Sequence, residues 1–473
     1  MEASPSSVAE RATPGEGERG ALAGVLEVAG QRLSATLTPA SRLALAVRIE
    51  GELPDGALVE ALEVVTERGP LRLGAARFAA GPEPGRGKLH FREHLYDCEA
   101  LCGEQRLVDL RAVFENLPAV LAQKAHVRPE FRAHVADLAY DLSVHRRFFD
   151  EQDHLLAAEP ADAAAAAVEA LLRTEGRKFL SYLDAQVDAL RELVKGYTLE
   201  EHERHGFYLR RQLWPYLLAS EFLRRSNLKP SGYPGDAEQM LMIYENAFVG
   251  PSTFAQLMHK HPLETAAARA VRARRRFVPR ELGAVRDRLA RAGRRLRVMS
   301  LACGPASELR EMAEPPGAAE ALEFLLLDQD PGALELARRT VRGIEAEGRG
   351  TLAVQYLQDS VRTMIRARDL PARLGECAFV YSMGLFDYLT APVARAVMAR
   401  AFELVAAGGT LLVGNFHAAS PSRVHMDYWG DWPLVYRTEE AFLALSDGLP
   451  FAARALAWDE TRCQMFLRLD KRA

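Results

Sequence analysis

Apolar residues in this chain follow three different rhythms in turn. Between residue 21 and about residue 95 they form short alternating runs: VLEVAG, RLSATLTP, LALAVRIEGEL, ALEVVTE, LRLGAARFAAG and KLHFRE. Gly, Pro and Asp separate the runs, which predicts a small antiparallel β domain over residues 21–100. From about Leu107 the spacing turns helical. Leu117, Val120 and Leu121, then Leu138, Leu142 and Phe148, and later Leu172, Phe179, Leu183, Val187, Leu190 and Val194 recur at three, four and seven. This predicts a helical region over 105–270. Within it Ala161–Ala170 is alanine-rich, with Asp162 as the expected cap. From Arg272 onward helices and strands alternate. A basic helix leads into a strand at Val298. Strands follow at 324–327, 351–357, 377–382 and 410–416, with helices at 331–345, 361–367, 391–406 and 438–446. Gly408-Gly409 is read as the turn before the strand at 410. The chain ends in a hairpin-like pair, 452–459 and 462–469, so one antiparallel strand is expected in an otherwise parallel sheet.

The most informative segment is VMSLACGPASELREM, followed by LEFLLLDQD. It reads as strand, tight turn, helix and strand, closed by an acid. Gly304-Pro305 ends the first strand, and Asp328 stands 24 residues beyond Gly304. Small residues at a strand's carboxyl end let backbone N–H groups approach a ligand. An acid about 20 residues on can bind a ribose diol. The pattern points to an adenosine-containing cofactor.

Composition removes several other classes. The 473 residues are 48% hydrophobic and 26% charged, with a formal net charge of −4. This is the composition of a globular protein, with no argument for nucleic acid. No apolar run is long enough for a membrane span. The first twenty residues lack the apolar stretch of a secretory signal and read as a disordered tail. The five cysteines are scattered, which fits a reducing cytoplasm. His90, His94, Cys98 and Cys102 have metal-like spacing. On one continuous helix they would span about 18 Å, too far to share one ion, so no metal is expected.

The helix–strand alternation with its terminal hairpin resembles the class I S-adenosylmethionine-dependent methyltransferases, over about residues 230–473. Their first motif reads acid-x-Gly-x-Gly-x-Gly. This chain has Ser300, Ala302, Gly304 and Ala306 there, so only the central glycine remains. Asp328 matches the ribose-binding acid, and Asp359 the acid facing the adenine, with Ser360 beside it. A narrower resemblance lies in SGYPGDAEQMLMIYENAF, FVYSMGLFDYL and GNFHAASPSRVHMDYWGDWPLVYR, with RRQLWPYLL, NLKP and HKHPLE upstream. These strings are similar to the extracellular-factor 3-hydroxypalmitic acid methyl ester biosynthesis proteins. The alternating N-terminal segment resembles a PilZ-type barrel, without the arginine pair and Asp-x-Ser-x-x-Gly pattern that such barrels use to bind cyclic di-GMP.

The resemblance implies an α/β fold: a Rossmann-like methyltransferase sheet with an antiparallel last strand. The expected plan is a tail over 1–20, a β domain over 21–100, a helical cap over 105–270 and a methyltransferase domain over 271–473. It also implies methyl transfer from S-adenosylmethionine to a fatty (3-hydroxy) acid carboxylate. Expected at the cofactor are Tyr233, Tyr244, Ala302, Gly304, Asp328, Gln329, Asp359, Ser360 and Ser382. A carboxylate needs no general base, only alignment and exclusion of water. Arg, His and Tyr hold carboxylates, so His417, Tyr388 and Arg423 are the expected catalytic set. Trp214, Asp387, Asn415, His425, Tyr428 and Arg437 are expected to line the acceptor site. Such a site gives a flat rate profile between about pH 6.5 and 9. Three alternatives stay open: an N- or O-methyltransferase of another metabolite with His417 or Asp387 as base, a non-catalytic cofactor-binding scaffold, and a dehydrogenase of Rossmann outline. The expected partner is a small acid, with neither nucleic acid nor a membrane span, and with a homodimer left open.

Overall fold

The computed structural model describes residues 21–41, 44–66, 69–91, 98, 121–122, 124–289, 296–367 and 369–472. The expected tail, and His94 and Cys102 of the cysteine–histidine group, lie outside the described residues. The chain divides into two compact units, 1–126 and 127–473.

In the first unit eight strands, β1 (Leu22–Val28) to β8 (Arg86–Phe91), form one sheet. Every pairing in it is antiparallel. Leu26, Leu37, Leu45, Val47, Leu62, Phe78 and Leu89 point to one buried face, as the alternation requires.

The second unit opens with helices. They are α1 (Pro129–Leu156), α2 (Ala161–Leu171), α3 (Arg177–Leu193), α4 (Leu199–Leu217), α5 (Glu221–Leu228), α6 (Ala237–Glu245), α7 (Thr253–Glu264) and α8 (Ala266–Leu289). Pro160, rather than Asp162, stands at the N-cap of α2, and no side chain caps that end. Proline's fixed φ starts the helix without a capping side chain. Thr198 and Glu201 form a capping box on α4.

Seven strands follow: β9 (Leu296–Leu301), β10 (Leu322–Asp328), β11 (Ala353–Gln358), β12 (Cys377–Ser382), β13 (Val405–Phe416), β14 (Phe451–Trp458) and β15 (Gln464–Lys471). Their order is β11-β10-β9-β12-β13-β15-β14. Only β15 runs against the others. This is a Rossmann-like α/β sheet, as the alternation predicts. The largest boundary difference is in β13, which begins at Val405, so that Gly408-Gly409 lies inside it. Gly408 takes a left-handed φ of 72°, and the pairing with β12 slips between Cys377 and Phe379. The glycine pair makes a bulge rather than a turn. The helix before it, Ala391–Glu403, is correspondingly shorter than expected.

The helical region is not a separate body. Phe131, Leu183, Leu213 and Phe254 share one core with Phe416 at the end of β13 and with Tyr428, Trp429 and Trp432 beyond it. Helix α8 runs unbroken through residue 272, so a fragment starting there would cut a helix and open this core.

Candidate functional site

Strands β9 and β12 are neighbours, and the chain leaves them in opposite directions, towards β10 and towards β13. Ligands of open α/β sheets bind at such a reversal, beyond the carboxyl ends of the strands. A cavity of about 390 Å³ lies there, with a mostly apolar lining drawn from α5–α8 and the strand ends.

One end is the glycine turn. Ala302, Gly304 and Ala306 all have left-handed backbones, with φ of 54°, 53° and 49°. These are the places where the motif usually has glycine, so the backbone shape survives although two glycines do not. Alanine in this region costs about 1–2 kcal/mol per residue. The turn is tied down in return: Gly304 N–H donates to Asp328 Oδ2 at 2.9 Å, and Cys303 N–H to Leu327 O at 3.1 Å. A Cβ on Gly304 would meet nothing within 4 Å, so the backbone faces open space. Asp330 N–H donates to the other Asp328 oxygen at 3.0 Å. Burial raises the Asp328 carboxyl above its ordinary pKa, and these two N–H groups oppose the shift. Gln329 and Asp359 also line this end. Ser360 does not; its Oγ accepts from Thr363 N–H and caps the next helix. Ser382 is buried and donates to Leu301 O at 2.9 Å.

The middle of the cavity carries charge that the sequence did not reveal. Arg274 on α8 is only 8% exposed. It donates to Met383 O at 3.0 Å and rests on Met240 Sδ at 3.1 Å, with Tyr244, Glu308 and Asp387 around it. Tyr381 Oη donates to Glu308 Oε1 at 2.6 Å, and burial raises the Glu308 carboxyl. Asp387, just after β12, accepts from Phe416 N–H at 2.7 Å through Oδ1. Burial pushes its carboxyl up to about 7, against the pull of that N–H, Arg274 and Arg437.

Arg437 and Asn415 hold this corner rather than line the cavity. Arg437 donates to Phe386 O at 2.8 Å, and also to Leu389 O and Asn415 Oδ1, bracketing Asp387-Tyr388 from both sides. Asn415 donates to Val435 O at 3.1 Å.

Tyr233 reaches the cavity from the SGYPGD turn. Asp236 fixes the turn by accepting from Arg225 Nε at 2.8 Å, Ser231 Oγ at 2.9 Å and Gln239 N–H at 3.1 Å. Tyr388 Oη then donates to Pro234 O at 2.9 Å and accepts from Trp432 Nε1 at 2.8 Å. Beyond Asp387 the chamber is apolar, walled by Phe222, Ile243, Val271, Phe416, Met426 and Leu434, with His425 at its edge.

Two expected catalytic residues, His417 and Arg423, and two expected acceptor residues, Tyr428 and Trp214, lie elsewhere. His417 packs edge-on against Trp458, with ring centroids 4.9 Å apart, and its Nδ1 accepts from Ala419 N–H. Arg423 pairs with Asp427 at 3.4 Å and lies over the Tyr436 ring. Tyr428 bonds His202 at 2.8 Å inside the helical core. Trp214 stacks under Arg211 in a surface groove. Past the end of β13 the backbone turns His417 and Arg423 outward, and position along the chain does not reveal that direction. The structure thus places Arg274 and Glu308 beside the expected Asp387 in the cavity lining, and not His417 or Arg423.

No family model matches the chain, and no curated protein matches it. Among solved structures, a Bordetella parapertussis protein described as a possible exported protein is 19% identical. That alignment covers 67% of this chain and 100% of that one, with a TM-score of 0.42. An O-methyltransferase family protein from Burkholderia thailandensis is 17% identical, covering 75% and 98%, with a TM-score of 0.33. Magnesium protoporphyrin IX methyltransferase from Synechocystis PCC 6803 is 11% identical, covering 43% and 83%, with a TM-score of 0.30. Likenesses this remote carry no argument about activity. The fold rests on the strand order of this chain itself.

Proposed function

We propose that this chain is an S-adenosylmethionine-dependent methyltransferase whose acceptor is the carboxylate of a small molecule with an apolar body. The observation that carries the reading is the single cavity joining a left-handed glycine turn and a ribose-type acid to an apolar chamber. The resemblance in sequence motifs supports the same cofactor. Its adenosine fits beside Gly304, Asp328 and Asp359. Its amino-acid end fits between Arg274 and Glu308, which offer opposite charges to a carboxylate and an ammonium. When bound, the cofactor supplies an electrophilic methyl group. The chain's own part is to orient the acceptor, with Tyr388, Tyr233 and Asp387 at the junction, and to keep water out by closing the SGYPGD turn over the cavity.

One observation favours a second acceptor. Asp387 Oδ1 is engaged by Phe416, while among the described residues no hydrogen bond reaches Oδ2 on this cavity-lining residue. A free carboxylate oxygen there could take the proton of an alcohol or amine. The Asp387 variants discussed below separate the two.

Calorimetric titration with S-adenosylhomocysteine, followed by mass spectrometry of a panel of fatty and hydroxy acids, tests the first reading. No binding of the cofactor product would overturn it. Asp328→Ala is expected to weaken that binding by roughly 1.5–3 kcal/mol, the range for hydrogen bonds to a charged group. Arg274→Met keeps an unbranched apolar stem and removes the guanidinium and its charge. It is expected to abolish most of the preference for S-adenosylhomocysteine over methylthioadenosine, which lacks the amino-acid end. An unchanged preference would remove Arg274 from that role.

A further inference from the structure

Helix α1 has two apolar faces. Phe131, Val135, Leu138, Leu142 and Phe149 form the first, which is buried in the helical core. Tyr140, Val144, Phe148 and Leu155 form the second, on the opposite side of the helix, at spacings of four, four and seven. These four are 69%, 51%, 38% and 64% exposed. Single exposed apolar residues are ordinary, but a stripe that repeats along a helix usually meets a partner. From Tyr140 to Leu155 it runs about 22 Å at 1.5 Å per residue.

The charges beside the stripe indicate what that partner is. Arg147 and Glu151 flank the stripe one turn apart and already bridge along the helix at 2.8 Å, whereas Arg146 and Asp150 lie on the other side of the helix, where Arg146 reaches Pro215 O. A second α1 lying antiparallel, with the twofold axis near Phe148, sets each Arg147 against the other helix's Glu151. Tyr140 then faces the region of Leu155, and Phe148 meets its own copy. The surface is self-complementary, as an isologous interface must be. We infer that the outer stripe of α1 is a homodimer interface between two copies of this chain, packed antiparallel through Tyr140, Val144, Phe148 and Leu155. One helix pair lies at the low end of interface sizes, so the association is a weak one, with a dissociation constant of order micromolar.

Sedimentation equilibrium of the full chain from about 1 to 100 μM tests this. The expected result is a concentration-dependent dimer, shifted at least tenfold towards monomer by Tyr140→Glu or Val144→Glu. Both positions are exposed, so folding and cofactor binding should be unaffected. Arg147→Glu alone should weaken the dimer, and adding Glu151→Arg should restore it. Oxidised Phe148→Cys should cross-link to dimer mass. A monomer throughout this range overturns the proposal, as does a dimer insensitive to these substitutions. In either case the stripe would instead contact the chain's own residues 1–126 or a different protein.

Discussion

Methyl transfer to a carboxylate is expected to be fastest between about pH 5.5 and 7 and to fall about tenfold per unit above that. The cause is Asp387. Its carboxyl is fully buried, and burial lifts it to about 7. Below that pH it is neutral and can donate a hydrogen bond to the acceptor carboxylate, which is ionised above about pH 5. Above it, two like charges would share one corner. Arg274, Arg437, Phe416 N–H and Tyr388 are the other groups around Asp387. A bound acceptor carboxylate raises its pKa and the cofactor's positive sulfur lowers it, so the two largely offset. Asp387→Asn keeps a donor, and is expected to retain most of the rate and to lose the alkaline fall. Asp387→Ala is expected to be slow at every pH. The base reading predicts the reverse: a rate that rises up to about pH 7, and a loss of order 10²–10⁴ in the Asn variant. A denaturant titration provides a check without substrate. A folded-state pKa raised above the unfolded value means that the native state holds a proton which the unfolded state releases between about pH 4 and 7. Wild-type stability relative to Asp387→Asn should therefore decline across that window and level off above it.

This profile replaces the flat one that the sequence suggested, and the reason shows what sequence pattern carries. The turn at Gly304 and the acid at Asp328 could be read because local spacing and small residues mark them. Strand 377–382 could be read because all six residues are apolar or small, and the structure buries every one. Arg274 was hidden among the many arginines of the basic helix that leads into the strand at Val298. A signal for it existed: Val271, Val278, Leu282 and Val285 are buried on the same stripe of α8, and Arg274 occupies the place between the first two. A charged residue in the apolar register of a helix is either paired or facing a ligand. His417 failed for a different reason. The end of β13 was placed correctly at Phe416, but the isolated bridge between His417 and Arg437 sets the direction of the next residues, and that contact spans twenty positions. Asn415 and Arg437 were read as substrate contacts because buried polar groups near a strand end resemble a site. Here Arg437 satisfies the carbonyls on either side of Asp387, and Asn415 accepts from Arg437 and donates to Val435 O.

Gly235→Ala is expected to give the largest loss of any single methyl group added to this chain, and its neighbour Gly232 supplies the control. Both glycines sit in the SGYPGD turn with nearly equal left-handed φ, 82° and 83°. A Cβ on Gly232 would meet nothing within 4 Å. A Cβ on Gly235 would lie 2.3 Å from Trp432 Cζ2 and 2.4 Å from Tyr388 Oη. Both substitutions therefore carry the same backbone strain, about 1–2 kcal/mol. Only Gly235→Ala adds overpacking, about 1–3 kcal/mol more. The clash falls on the two hydrogen bonds that hold the turn shut, from Tyr388 to Pro234 and from Trp432 to Tyr388. Trp432 cannot retreat easily, since it is 8% exposed and packs into the helical core, and the exposed Tyr388 can swing away only by giving up both hydrogen bonds. The turn must move instead, and it takes Tyr233 out of the cavity. A displacement of about 1 Å in a positioning group can cost on the order of 10²-fold in rate. Gly235→Ala should lose on that scale in kcat, with S-adenosylhomocysteine binding also weakened. Gly232→Ala should lose about 1–2 kcal/mol of stability and leave kcat within about twofold. If the two variants behave alike in steady-state kinetics, the turn contributes only its backbone, and the closure of Tyr388 and Trp432 over it has no part in catalysis.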